Sequence, residues 1–251
     1  MTVDMPQEEQ IGQLRHLWKQ AFGDTDAFLD GFFATGFDRR RCRCLHWNQR
    51  LAAALYWFDC HWMGKKLAYI YAVATDEDFR GRGFCRNLME DTHRHLKKLG
   101  YQGAVLVPGD RGLFQMYQKL GYRGLSPKLF REVTAAGEAV RLKPLTAEEY
   151  AQQRKTQLPD GGVVQDGAAL NYLATFAEFY RTEDSLFCGS GKDTFLFQEF
   201  FGNPKQLPGI LTALQANAGR VPYPGEGEDS AMYFPLTEDD TAPAYFGLAL
   251  N

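Results

Sequence analysis

Between Ile70 and Met89 the hydrophobic period of the sequence changes, and that change limits the folds open to the chain. Ile70-Tyr71-Ala72-Val73-Ala74-Thr75 is a short apolar run of strand type, Asp76-Glu77-Asp78-Phe79 is a polar turn, and Arg80-Gly81-Arg82-Gly83 is a glycine-rich bend. From Phe84 the spacing is helical, with Phe84, Leu88, Thr92 and Leu96 on one stripe and Cys85 and Met89 beside it. A strand led through glycines into a helix N-terminus gathers unpaired backbone N–H groups at one point, where an anion can sit.

The flanking segments supply the rest of a sheet. Glu8 to Phe22 carries Ile11, Leu14, Leu17, Trp18 and Phe22 at helical spacing and stops at Gly23, and Asp24-Thr25-Asp26 offers caps for a second helix, Ala27 to Thr35. Arg41 to Trp47, Arg50 to Phe58 and Lys66 to Ala74 read as strands. Their short connections, Asn48-Gln49 and Met63-Gly64-Lys65, imply an antiparallel meander. The helix from Arg82 to Leu99 ends at Gly100 and is followed by a strand, Gly103 to Val107, a helix, Arg111 to Leu120, and a strand from Tyr122. This order predicts an α/β fold, a mixed and mostly antiparallel sheet with helices on its faces.

At 251 residues the chain can hold two domains. Thr134-Ala135-Ala136-Gly137-Glu138 reads as a linker, giving an expected domain at 1–134 and a second α+β domain at 138–251. In the second, Val140 to Leu145 is strand-like, and Thr146 with Glu149 forms a capping box for a helix from Ala147 to about Gln157. A helix is expected from Ala168 to Tyr180, strands at Ser185 to Cys188 and Thr194 to Phe201, a helix from Asn203-Pro204 to about Asn217, and terminal strands at Ser230 to Pro235 and Ala244 to Leu250. The order loosely repeats that of the first half.

Charge and cysteine content exclude several classes. A net charge of −3 gives no basic field for nucleic acid, and the one basic run, Arg39-Arg40-Arg41, reads as a solvated turn. Met1 to Gln10 is polar and acidic, with no apolar leader, and the longest apolar run, Leu51 to Phe58, is too short to cross a bilayer. A cytoplasmic protein without membrane contact is expected. The cysteines, Cys42, Cys44, Cys60, Cys85 and Cys188, form no CxxC pair, and His93 and His95 fall on different helix faces. Buried thiols and no metal are the expectation.

Phosphate-binding motifs can then be tested against the bend. Gly191-Lys192 is followed by Asp193 and lacks the upstream glycine of a P-loop, and a dinucleotide fingerprint would need glycine where Arg86 stands. Arg80-Gly81-Arg82-Gly83-Phe84-Cys85, led by Val73 to Phe79, instead resembles the Arg/Gln-x-x-Gly-x-Gly/Ala signature of the GCN5-related N-acetyltransferase (GNAT) superfamily. Cys85 stands where that family has Gly or Ala and is itself small. Leu113-Phe114-Gln115-Met116-Tyr117-Gln118-Lys119-Leu120-Gly121-Tyr122 resembles the family's later helix, which packs near the cofactor thiol. The resemblance covers about Gln10 to Arg131.

The resemblance implies acetyl-CoA as co-substrate. Its pyrophosphate would be held by the backbone N–H groups of Gly81, Arg82, Gly83, Phe84 and Cys85, with positive charge from Arg80 and Arg82. The pantetheine arm would pair along the strand at Val73 and Thr75, where the N–H of Val73 faces the thioester oxygen as an oxyanion donor. An amine would attack directly. Tyr117 would protonate the departing thiolate, or pack its ring and only orient the sulfur. Asp59, His61, Tyr71 and Asp110 are open as acceptors of the amine proton, and no spacing separates them.

In the second half Glu199-Phe200-Phe201-Gly202-Asn203-Pro204 stands where the bend would be, with a carboxylate and no arginine. It reads as a degenerate GNAT-like domain, with a different α+β module as the alternative. The whole therefore reads as an N-acetyltransferase acting on a primary amine of a small molecule or peptide, with a homodimer as a possible assembly. The rival reading is a non-catalytic acyl-CoA-binding or regulatory protein.

Overall fold

A computed structural model of the chain describes residues 1–225 and 227–250. In chain order it contains β1 (Thr2–Asp4), α1 (Ile11–Phe22), α2 (Asp26–Thr35), β2 (Cys42–Trp47), β3 (Arg50–Trp62), β4 (Lys65–Thr75), α3 (Phe84–Lys98), β5 (Gly103–Leu106), α4 (Arg111–Gln118) and β6 (Arg123–Thr134). There follow β7 (Lys143–Leu145), α5 (Ala147–Gln157), β8 (Val164–Gln165), α6 (Ala168–Leu173), β9 (Glu178–Arg181), β10 (Ser185–Ser190), β11 (Thr194–Gly202), α7 (Leu207–Leu214), β12 (Ala218–Pro224) and β13 (Glu228–Pro235). The architecture is mixed α/β.

The chain divides into two compact units, one made of Met1–Arg123 with Met232–Ala242, the other of Gly124–Ala231 with Pro243–Asn251. Neither unit is one continuous stretch, in contrast with the continuous 1–134 and 138–251 expected from the sequence. The reason lies in strand exchange. In the first unit the neighbour of β5 is β13, from near the chain's end, paired antiparallel from Met232↔Leu106 to Pro235↔Gly103. The next strand in sequence, β6, instead pairs with β12 in the second unit, from Ala218↔Thr134 to Pro224↔Lys128.

In the first unit β1, β2, β3 and β4 form the antiparallel meander, and α3 then crosses over to β5, which lies parallel to β4. One face of this sheet packs against α3 and α4 through Trp57, Ile70, Phe84, Leu88, Met89, Leu96 and Tyr117. The helix periods deliver these residues inward, and burying each large apolar side chain contributes roughly 1.5–3 kcal/mol. Near Trp18 of α1 the aromatic rings of Phe32 and Tyr56 lie 4.7 and 5.3 Å away. Gly23, with φ +73, ends α1, and the Thr25 side chain caps α2.

The second unit repeats this connectivity. β9, β10 and β11 are antiparallel, α7 crosses over, and β12 returns parallel to β11. The capping box of Thr146 and Glu149 forms at α5 as its sequence requires. Several elements depart from the local pattern. The helix expected from Ala168 to Tyr180 stops at Leu173, because Phe179 and Tyr180 are taken into a ladder against Cys188 and Phe187. The helix expected to reach Asn217 ends at Leu214, with Gln215 left-handed at φ +59, and a strand follows.

That strand, β12, carries Pro222 and Pro224, which discourage a strand in the sequence. They are tolerated because the β11 ladder reaches only Arg220, so no β11 hydrogen bond is needed at either proline. Ala244 to Leu250 is not a strand, and only Tyr245 forms a bridge there, with Gly162. Thr2–Asp4 adds an edge strand too short for periodicity to reveal.

Candidate functional site

The site begins with a bulge. Ala54 is opposite Ala74 and Tyr56 is opposite Tyr71, so Ala72 and Val73 of β4 face Leu55 of β3 alone. Ala72 takes φ +47, a left-handed conformation that is costly for a residue with a Cβ. On its other side β4 pairs in parallel with β5 at Leu67↔Gly103, Ala68↔Ala104 and Tyr69↔Val105, and the ladder stops there. The stretch from Val73 to Thr75, half-buried at both ends with Ala74 buried between, therefore extends past the β5 ladder.

The bend follows directly. The Asp76 side chain accepts from the Asp78 N–H at 2.9 Å, and Arg80 Nε donates to the Thr75 carbonyl at 3.2 Å. Gly81 and Gly83 take φ +75 and +78, and a Cβ built on either meets nothing within 4 Å. Backbone handedness rather than crowding demands glycine at both. The carbonyl of Gly83 accepts from Asn87 N, and no side chain caps α3; α1, α6 and α7 also lack one, while α2, α4 and α5 are capped by Thr25, Asp110 and Thr146. The first-turn N–H groups of α3 thus lack a side-chain acceptor at the positive end of the helix dipole.

The two bend arginines are exposed, and the Arg82 guanidinium lies 5.5 Å over the Phe79 ring. Phe84 is different, because its ring is buried against Phe79 and Trp47, leaving only its backbone to face an anion. Cys85 is half-buried, and burial pushes its thiol up to about 11, so it stays protonated at neutral pH. That state suits a packing residue rather than a nucleophile.

Tyr117 reaches this region from α4. The Asp110 carboxylate accepts from Leu113 N at 2.8 Å and starts the helix, and Gly121 at φ +93 closes the turn after it. The Tyr117 side chain joins the same apolar cluster as Val73, Cys85 and Phe114. It is only 6% exposed. Burial, with the Cys85 sulfur second, holds its phenol well above its usual range, so it is protonated at neutral pH. Its hydroxyl makes no hydrogen bond among the described residues. Tyr122, by contrast, shares a 2.8 Å hydrogen bond with Nε2 of His93.

The four candidate proton acceptors lie in different surroundings. Asp59 accepts a hydrogen bond from the Tyr101 hydroxyl and pairs with Arg41 at 2.9 Å. Asp110 is the α4 cap. His61 is exposed on β3, and Tyr71 lies in a ring cluster, 5.6 Å from Trp18 and 5.7 Å from Phe58. The run Arg39-Arg40-Arg41 is likewise taken up by ion pairs, to Glu8, Asp38 and Asp59. Nothing local in the sequence marks Ala72 at the bulge or Val105 at the end of the β4–β5 ladder, because neither is a turn residue.

In the second unit Glu199 is fully buried, and both its oxygens are engaged. Arg154 donates to it from Nε at 2.6 Å and from Nη2 at 2.9 Å, Tyr150 donates at 3.0 Å and Tyr245 at 2.8 Å. These contacts hold the carboxylate within the core of the second unit. Among the described residues no group of three or more His, Cys, Asp or Glu side chains could hold a metal, and no helix is long and apolar enough to cross a membrane.

Residues 2–124 match the model of the acetyltransferase (GNAT) domain. No curated protein matches the chain. Among solved structures, a GCN5-related N-acetyltransferase from Anabaena variabilis is similar with a TM-score of 0.72 and 16% identity, over 94% of this chain and 73% of that one. A GCN5-related N-acetyltransferase from Kribbella flavida gives 0.67 and 16%, over 92% and 70%. Eis1 from Mycobacterium abscessus gives 0.65 and 10%, over 94% and 74%. At these identities the structural likeness concerns the fold, a mixed α/β architecture shared with acetyltransferases.

Proposed function

We propose that the protein transfers an acetyl group from acetyl-CoA to a primary amine of a small molecule or peptide by direct attack. The carrying observation is convergence within the first unit. The uncapped start of α3, the bulged end of β4 beyond Val105 and the Tyr117 side chain all border one cluster that includes Val73 and Cys85. The residues fit the cofactor: α3 offers uncapped N–H donors, and the two left-handed glycines leave open space where a Cβ would stand.

Acetyl-CoA would supply an activated acyl group as a thioester. The N–H groups from Gly81 to Cys85 would hold the pyrophosphate, with Arg80 and Arg82 adding charge, and Val73 and Thr75 would pair with the pantetheine arm. The Val73 N–H would stabilise negative charge on the carbonyl oxygen. Tyr117, protonated and without a partner for its hydroxyl among the described residues, would donate its proton to the leaving sulfur. The amine proton would leave to water. The setting is cytoplasmic, and the protein would act alone or as a homodimer.

The second unit is read as a degenerate acetyltransferase-like module. Its meander, crossover helix and parallel return strand support this, and with Glu199 in its core and no glycine pair there it would offer no anion site. The engagement of Asp59 and Asp110 also favours, as a second reading, a protein that binds acyl-CoA without turnover.

The test is thiol release from acetyl-CoA over a panel of amines, beside calorimetric titration of the cofactor. Tyr117→Phe should lower kcat by roughly 10- to 100-fold and leave acetyl-CoA affinity within about twofold. Binding without thiol release on any amine would sink the transfer reading and leave the binder.

A further inference from the structure

Three aromatic side chains stand behind Tyr117, and one of them comes from the far end of the chain. The Tyr117 ring meets Tyr122 edge-on at 5.7 Å, and the Tyr122 hydroxyl shares the 2.8 Å hydrogen bond with His93 Nε2 on α3. The imidazole is in turn stacked on Phe234 of β13, with centroids 4.2 Å apart and planes at 14°. Phe234 also touches Tyr122, at 5.3 Å. Gly121 makes room for it, since a Cβ there would sit 3.0 Å from the Phe234 ring.

A polar pair inside an apolar cluster adds little net stability compared with leucine-like packing. What a hydrogen bond adds is direction, because it fixes the rotation of a ring that apolar contacts alone leave free to rock. Burial also holds the His93 pKa down to about 4, with Arg94 second, so the imidazole is neutral and keeps one donor and one acceptor nitrogen. The pair therefore persists across physiological pH.

We propose that His93, Tyr122 and Phe234 form a brace that fixes the ring of Tyr117, making His93 and Phe234 positioning residues for the step assigned to Tyr117. The catalytic part of this rests on the acetyltransferase reading, while the geometric part does not. One consequence is that the site is completed by β13: residues before Arg123 carry both sequence motifs but lack the ring that stacks on His93.

The experiment uses the full chain labelled with 13C-tyrosine, the Tyr117 ring signal being assigned by its loss in Tyr117→Phe. His93→Leu and Phe234→Ala should shift and broaden that signal and lower kcat by about five- to tenfold, with the KM for acetyl-CoA within about twofold of wild type. His93→Gln, whose amide can donate or accept where Nε2 lies, should restore both. Tyr122→Phe, which removes one hydroxyl and keeps the ring, should reproduce the His93→Leu signal change and serves if the larger changes fail to fold. An unchanged Tyr117 signal in His93→Leu or in Tyr122→Phe, or a His93→Gln protein no nearer wild type than His93→Leu, overturns the brace. If wild type releases no thiol with any amine, the acetyltransferase reading fails, and the Tyr117 signal still decides the brace.

Discussion

Tyr69 and Val105 are the last partners of the β4–β5 ladder, and past them β4 bulges at Ala72 before reaching the glycine bend. The left-handed Ala72 is the local strain in this arrangement. Ala72→Gly should leave stability within about 0.5 kcal/mol, since lost strain offsets added chain entropy. Ala72→Ile, β-branched at φ +47, should cost about 1–2 kcal/mol. Urea denaturation measures both, and equal stabilities would contradict the bulge.

Gly83 is a second point where backbone conformation and binding coincide. At φ +78 any side chain is strained, and a Cβ would project into the open space in front of the α3 N-terminus. Gly83→Val should cost about 1–2 kcal/mol in stability and weaken acetyl-CoA binding at least about tenfold by calorimetry. Unchanged affinity would remove the bend from the cofactor site.

The Arg154 and Glu199 pair, 2.6 Å apart and fully buried, should behave as a unit. Either Arg154→Met or Glu199→Gln leaves a buried polar group short of its partner and should cost about 3–5 kcal/mol, whereas the double variant should be more stable than the sum of the two. Additive losses in denaturant titrations would show that the two do not act together.

His93 sets an acid limit. Its folded pKa of about 4 lies below the ordinary 6.5, so between these values the unfolded chain binds a proton that the native chain does not. Its contribution is complete above pH 6.5 and is lost as pH falls towards 4, by roughly 3 kcal/mol over the interval. Melting temperatures followed from pH 7 to pH 4 should decline, and His93→Gln should flatten the decline. Parallel slopes for the two proteins would refute the assignment.

The residues that announce themselves in the sequence are those whose role is local. Gly23 and Gly100 as helix stops, Thr25, Asp110 and Thr146 with Glu149 as caps, and Gly81 and Gly83 in the bend were legible because a cap or a left-handed residue depends on neighbours within one turn. The helix that carries Tyr117 was legible in the same way, as a period along one element, while the role given to Tyr117 came only from the resemblance. The early end of α6 and the strand at β12 were not, since Phe179 and Pro222 owe their conformation to ladder partners elsewhere in the chain.

The sequence by itself determined the meander, the bend and the helix that follows, because hydrophobic period and glycine handedness act over a few residues. Tertiary structure alone decided that β13 rather than β6 lies beside β5, that Asp59 is held by Arg41 and Tyr101, and that Phe234 stacks on His93. Each of these joins positions far apart in the chain. Such pairings are selected by the burial and hydrogen bonding of the folded whole, which no local period encodes.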